Sequence, residues 1–182
     1  MENDGLLTSK LAREAGIADS VLSRLATRGR LERTARGVYR IPYVPPSRFS
    51  QHREAVLWAK AQGGPRQVAL SHETALLVFG ISDANPRSIH LTVPRAARLR
   101  RQRPKGVKLH RSDRSRGELT LHDGIPLTTV ARTVGDLLAS RGRIDLVKQA
   151  ISDARKKGFI DDPESRRLRR VVKKYTEALA ES

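Results

Sequence analysis

Apolar residues recur along the first forty positions at two different periods. Leu11, Ala12 and Ala15 lie at the i, i+1, i+4 spacing of one helical face, and Thr8 or Ser9 offers a hydroxyl to cap a helix over 8–15. Gly16 is free to adopt the positive φ that stops it, and Asp19 is a second candidate cap. From Ser20 to Arg28, Val21, Leu22, Leu25 and Ala26 form an apolar face, while Ser20, Ser23, Arg24, Thr27 and Arg28 make the opposite face polar and basic. The period then changes. Leu31-Glu32-Arg33 and Val38-Tyr39-Arg40-Ile41 read as two short strands joined by a turn that ends on Gly37. Pro42, Pro45 and Pro46 cannot continue a helix or a central strand, so the sequence predicts a domain boundary over 42–47, dividing the chain into residues 1–43 and 44–182.

The remainder mixes helical and strand patterns. Gln51 to Gln62, with Ala55-Val56-Leu57-Trp58-Ala59 at its centre, predicts a helix ended by Gly63-Gly64-Pro65. Ser71 is placed to cap a helix that runs to Phe79 and closes on Gly80, and Ile89 to Val93, Val107 to His110 and Leu119 to Leu121 predict strands. Thr129 caps a helix with the core stripe Val130, Ala131, Val134, Leu137 and Leu138, despite Gly135. Two amphipathic helices finish the chain. One carries Leu146, Val147, Ala150, Ile151 and Ala154 and closes on Gly158; the other carries Leu168, Val171, Val172, Tyr175 and Leu179 and opens at Asp162-Pro163.

Two helices that cross steeply need a small residue at the crossing, a glycine in the turn and buried aliphatics at fixed offsets. Ala12, Gly16, Ile17, Leu22 and Leu25 meet these demands. With the hairpin at Gly37 directly afterwards they make a winged helix-turn-helix. Such folds begin with an additional helix, for which residues 1–7 are too short; either it is rudimentary or another segment replaces it. The expected fold class is therefore α+β: an N-terminal winged helix-turn-helix, a mixed α/β domain, and C-terminal amphipathic helices.

Charge sharpens this picture. Lys plus Arg number 36 against 19 Asp plus Glu, for a formal net charge of +17, and all but nine of the cations are arginine. The guanidinium fork suits phosphate oxygens and guanine edges, so double-stranded DNA is the expected partner. The N-terminal part of the second helix then takes base-edge duty in the major groove through Ala18, Asp19, Ser20, Ser23 and Arg24, with Thr27 and Arg28 on phosphates. Arg36, at the tip of the wing, is placed for a minor groove. Modules of this size read short half-sites, which predicts an inverted-repeat operator bound by a dimer or by two monomers. The chain has no cysteine, which excludes disulfides and thiolate zinc sites. No stretch has the ~20 consecutive apolar residues of a membrane span. With no secretory signal pattern at the N-terminus either, the expected location is the cytoplasm, with no membrane partner.

Several spaced motifs, in order, resemble one family. Leu31 to Arg40, Ala69-Leu70-Ser71-His72-Glu73-Thr74-Ala75, Gly80-Ile81, Ile89-His90-Leu91-Thr92-Val93-Pro94, and Asp123 to Thr129 leading to Arg132-Thr133 and Asp136-Leu137-Leu138 are similar to the AbiEi-type antitoxins of type IV toxin-antitoxin systems. The resemblance spans about Leu7 to Ala139. It implies a winged-helix domain that represses its own operon and a second, antitoxin domain that counters a nucleotidyltransferase-like toxin. It also carries over the wing residues Arg33, Arg36, Tyr39 and Arg40, together with His72, Thr74, Arg132, Thr133 and Asp136. The alternative regulator is a stand-alone winged-helix protein with no toxin partner. Of the carried-over residues, His72 reads as a hydrogen-bonded structural histidine, and Arg132 and Asp136, four apart, as an ion pair on one helical face.

Between Arg95 and Arg116 ten cations face a single acid, Asp113. They are Arg95, Arg98, Arg100, Arg101, Arg103, Lys105, Lys108, Arg111, Arg114 and Arg116. So dense a charge repels itself without a counter-anion, and Arg95, Arg98, Arg100, Arg101 and Arg103 are candidates for a second contact with DNA, RNA or an acidic partner. Five histidines, His52, His72, His90, His110 and His122, frame the enzyme alternative, a histidine and carboxylate metal-dependent nuclease. Against it, the chain holds no Glu-x-Lys, no Asp-x-Lys, no phosphate-binding glycine loop and no His-Glu-x-x-His. No catalytic residue, metal ligand or cofactor is expected.

Overall fold

Local chemistry sets the first elements. In the computed structural model, which describes residues 4–61, 67–100, 102–113 and 115–181, Thr8 Oγ1 accepts the backbone N–H of Leu11 at 3.1 Å and opens helix α1, Ser9–Glu14. Gly16, at φ +77°, turns the chain out of it. Helix α2, Asp19–Thr27, follows. Asp19 is its first residue rather than its cap: Ala18 holds the cap position with no side-chain bond, and the Asp19 carboxylate pairs with Arg13 at 3.3 Å.

Ahead of α1 the chain forms strand β1, Leu6–Thr8, rather than a helix. Strands β2, Glu32–Ala35, and β3, Val38–Arg40, flank the turn at Arg36 and Gly37, the latter at φ +80°. β3 pairs antiparallel with both β1 and β2, so the small sheet runs β1-β3-β2, with a bulge between Arg33 and Ala35. Ala12, Leu22, Leu31 and Tyr39 are buried together, with Leu7, Leu25 and Ala26 packed on them. Helix α3, Ser50–Lys60, is tied to this sheet and its entry by Arg40–Glu54 at 3.3 Å and Asp4–Arg53 at 2.9 Å. The third helix thus comes after the hairpin. Gln62 and Gly63-Gly64-Pro65, expected to end it, lie outside the described residues.

The chain forms two compact units, Met1–Val68 with Leu91–Asp113, and Ala69–His90 with Arg114–Ser182. Strand β5, Ile89–Val93, starts in the second and ends in the first, where β6, Val107–Arg111, is its neighbour.

In the second unit, β8, Ile125–Thr128, lies between β4, Ala69–Leu70, which it meets in parallel, and β7, Leu119–His122, which it meets antiparallel. Helix α4, His72–Phe79, ends on Gly80 at φ +64°. Thr129 caps α5, Val130–Ala139, and accepts the Arg132 N–H at 3.4 Å; Val130, Val134, Leu137 and Leu138 are buried as their spacing predicts. On α6, Ile144–Lys156, the five residues of the predicted stripe, Leu146, Val147, Ala150, Ile151 and Ala154, are buried. Asp161, one residue earlier than Asp162, caps α7, Asp162–Ala180, by accepting the Glu164 N–H at 2.8 Å. On α7 Leu168 and Val172 are buried, but Val171 and Leu179 are exposed, so the stripe is narrower than its sequence pattern. No helix among the described residues is long and apolar enough to cross a membrane.

Candidate nucleic-acid interface

Burying Leu22 decides what α2 shows to solvent. Leu22 is 1% exposed, and Ser20, Ser23, Arg24, Thr27 and Arg28 are all exposed. Ala18 and Asp19 are exposed at the N-terminal end of the same helix. Thr27 Oγ1 donates to the Ser23 carbonyl at 3.1 Å, so its one hydroxyl donor is engaged within the helix. The hairpin adds Arg33 and Arg36, both exposed. Arg40 is not on that surface: its guanidinium meets Glu54, and its side chain is only 16% exposed. Tyr39 is buried in the core at 3% exposure, which keeps its hydroxyl from a phosphate.

A cleft of about 1200 Å³ opens beside the hairpin turn, within the first unit. Arg36, Arg98, Arg100, Arg103 and Lys105 line it together with Trp58, and among the described residues no acid lines it. The loop that carries these arginines is pinned at its start. Arg111 donates to the carbonyls of Ala97 at 2.6 Å and Arg95 at 3.2 Å, and the Arg95 N–H donates to Asp113 at 3.0 Å. Arg95 is exposed but does not line the cleft. Arg101 and Arg114 lie outside the described residues.

In the second unit, the residues that the resemblance carries over hold elements together. His72 is 6% exposed, with Nδ1 at 2.9 Å from Ser71 Oγ and its ring 5.4 Å from that of His90. Thr74 Oγ1 donates to the Ser88 carbonyl and accepts the His90 N–H at 2.9 Å. Thr133 and Thr128 share a hydroxyl bond at 2.7 Å, and Arg132 pairs with Asp136 at 2.8 Å. The sequence missed the other partner of Arg132, Glu118, also at 2.8 Å. Its signal was present, since Ser115 and Glu118 form a capping box around the 3-10 turn Arg116–Glu118. The bond from Arg132, then that from the Ser115 N–H, holds the Glu118 carboxyl below the usual carboxylate range. Burial alone would lower the Arg132 pKa; its bonds to Glu118 and Asp136 outweigh this and hold it up. His122 packs its ring against Phe79 and Phe159, at 5.4 Å from each.

A short strand, two helices and a hairpin with an exposed basic face therefore make up Leu6–Arg40 of the first unit. Residues 1–42 match the family described as transcriptional regulator, AbiEi antitoxin, in agreement with the resemblance drawn from the motifs. The RV2827C protein from Mycobacterium tuberculosis is similar in fold, with a TM-score of 0.55 at 17% sequence identity; the match covers 90% of this chain and 65% of that one. This chain thus spans about two-thirds of the matched protein's length, and at that identity the likeness is one of fold. No curated protein sequence matches the chain.

Proposed function

We propose that this chain is a DNA-binding transcriptional regulator of the AbiEi antitoxin kind. In this reading residues 1–43 act as a winged helix-turn-helix that recognises an inverted-repeat operator, and residues 44–182 form a domain that counteracts a nucleotidyltransferase-like toxin. The N-terminal turns of α2 enter the major groove, with Ala18, Asp19, Ser20, Ser23 and Arg24 at base edges, while Arg28 and Arg33 take phosphates and Arg36 reaches the adjacent minor groove. One observation carries this most: α2 buries Leu22 and exposes Arg24 and Arg28 beside an exposed arginine hairpin, within the residues that match the regulator family.

The protein's own upstream DNA is the test substrate. Gel shift should show sequence-selective binding that weakens with salt; equal binding to random duplex rejects operator recognition. Arg24→Ala should cost ~1–3 kcal/mol on the operator, roughly a 5- to 150-fold loss, and much less on random duplex. An unchanged preference removes Arg24 from base reading. The antitoxin half is tested by co-expression. Induction of a neighbouring nucleotidyltransferase gene should arrest growth, and this chain should restore it. Failure to restore growth while operator binding persists leaves a stand-alone regulator.

A further inference from the structure

We propose that the cleft beside the hairpin turn is a second DNA site, which holds the phosphate backbone of the duplex that flanks the half-site read by α2. This rests on the reading above and extends it. The cleft presents Arg36, Arg98, Arg100, Arg103 and Lys105 with no acid among them, and among the described residues no ion pair involves Arg98, Arg100, Arg103 or Lys105. Cations gathered in one concavity repel each other unless an anion joins them.

Continuity identifies the anion. Arg36 is both the tip of the hairpin and a wall of the cleft, so a minor groove that receives Arg36 brings its own flanking phosphates to the arginines opposite. The chemistry of the lining selects phosphates over bases. Trp58 is 1% exposed and offers no stacking face, so a single strand held by base stacking does not fit, whereas guanidinium forks suit phosphate oxygens. The loop is also held ready for its ligand. The bonds from Arg111 to Ala97 and Arg95, and from Arg95 to Asp113, fasten the start of the segment to the end of β6, which lowers the entropic cost of binding.

The experiment measures operator affinity against salt for the full chain and its R98A/R100A/R103A variant. Two duplexes are used, one trimmed to the half-sites and one with flanking base pairs retained. Each neutralised phosphate contributes about 0.9 to the log-log salt slope, so the variant's slope on the long duplex should be shallower by roughly 2.7, with affinity lower on the order of tens-fold at low salt. On the trimmed duplex the two proteins should bind alike, and the operator-to-random ratio should not change. Equal slopes on the long duplex overturn the proposal and leave the cleft to an RNA or an acidic protein; an equal loss on both duplexes overturns it too. Should the triple variant not fold, R103A alone should lower the slope by about 0.9. A wild-type chain without operator preference sinks the parent reading instead, which keeps the two failures apart.

Discussion

Leu22→Ala should destabilise the first unit by about 2.5–5 kcal/mol and abolish operator binding, although the side chain faces away from the proposed DNA surface. Leu22 is 1% exposed and packs with Ala12, Leu31 and Tyr39. In so small a cluster the remaining side chains cannot close the cavity, and the loss is a large share of the 5–15 kcal/mol that typically holds a domain together. α2 would then lose the fully buried anchor that orients Ser20, Ser23 and Arg24. Trp58, the sole tryptophan, is buried in the same unit, so its fluorescence in a urea titration reports this unfolding. Leu22→Met, which keeps the volume, should cost less than about 1.5 kcal/mol and retain binding. An unchanged urea midpoint in Leu22→Ala would mean that α2 does not pack by this face. Arg24→Ala is the counterpart, with operator preference lost and the midpoint retained.

Leu22 also illustrates what a sequence can show. Its place in the stripe with Val21, Leu25 and Ala26 is a local period, and local periods predicted α2, α5 and α6 closely. What escaped depends on partners distant in the chain. β1 has three residues, too few for any period, and exists because Leu7 lies opposite Tyr39. Pro126 argues against a strand, yet β8 accommodates it opposite Leu121, with Ile125 and Leu127 buried on either side. Arg40 looked like a wing cation because its partner Glu54 is on a helix fourteen residues further on. Arg98, Arg100 and Arg103 are legible as part of a charge run, but not their meeting with Arg36 in one cleft, which no spacing encodes.

In the second unit the largest effect is expected from Arg132→Leu, at ~3 kcal/mol of unfolding free energy. The Arg132 side chain is 19% exposed and its partner Asp136 11%, so removal of the guanidinium leaves a nearly buried carboxylate without its cation. The value is at the lower end for a broken buried ion pair, because Glu118 is 35% exposed and keeps some water. The pH dependence separates charge from packing. Glu118 titrates below the usual carboxylate range in the folded chain, so its contribution is complete above that range and is lost as pH falls through the folded value. The gap in melting temperature between wild type and Arg132→Leu should therefore be widest near neutral pH and shrink below about pH 4, as the Glu118 carboxylate that Arg132 holds becomes protonated. Thermal unfolding followed by circular dichroism measures it. A gap that stays constant with pH would show that the apolar stem of Arg132 does the stabilising.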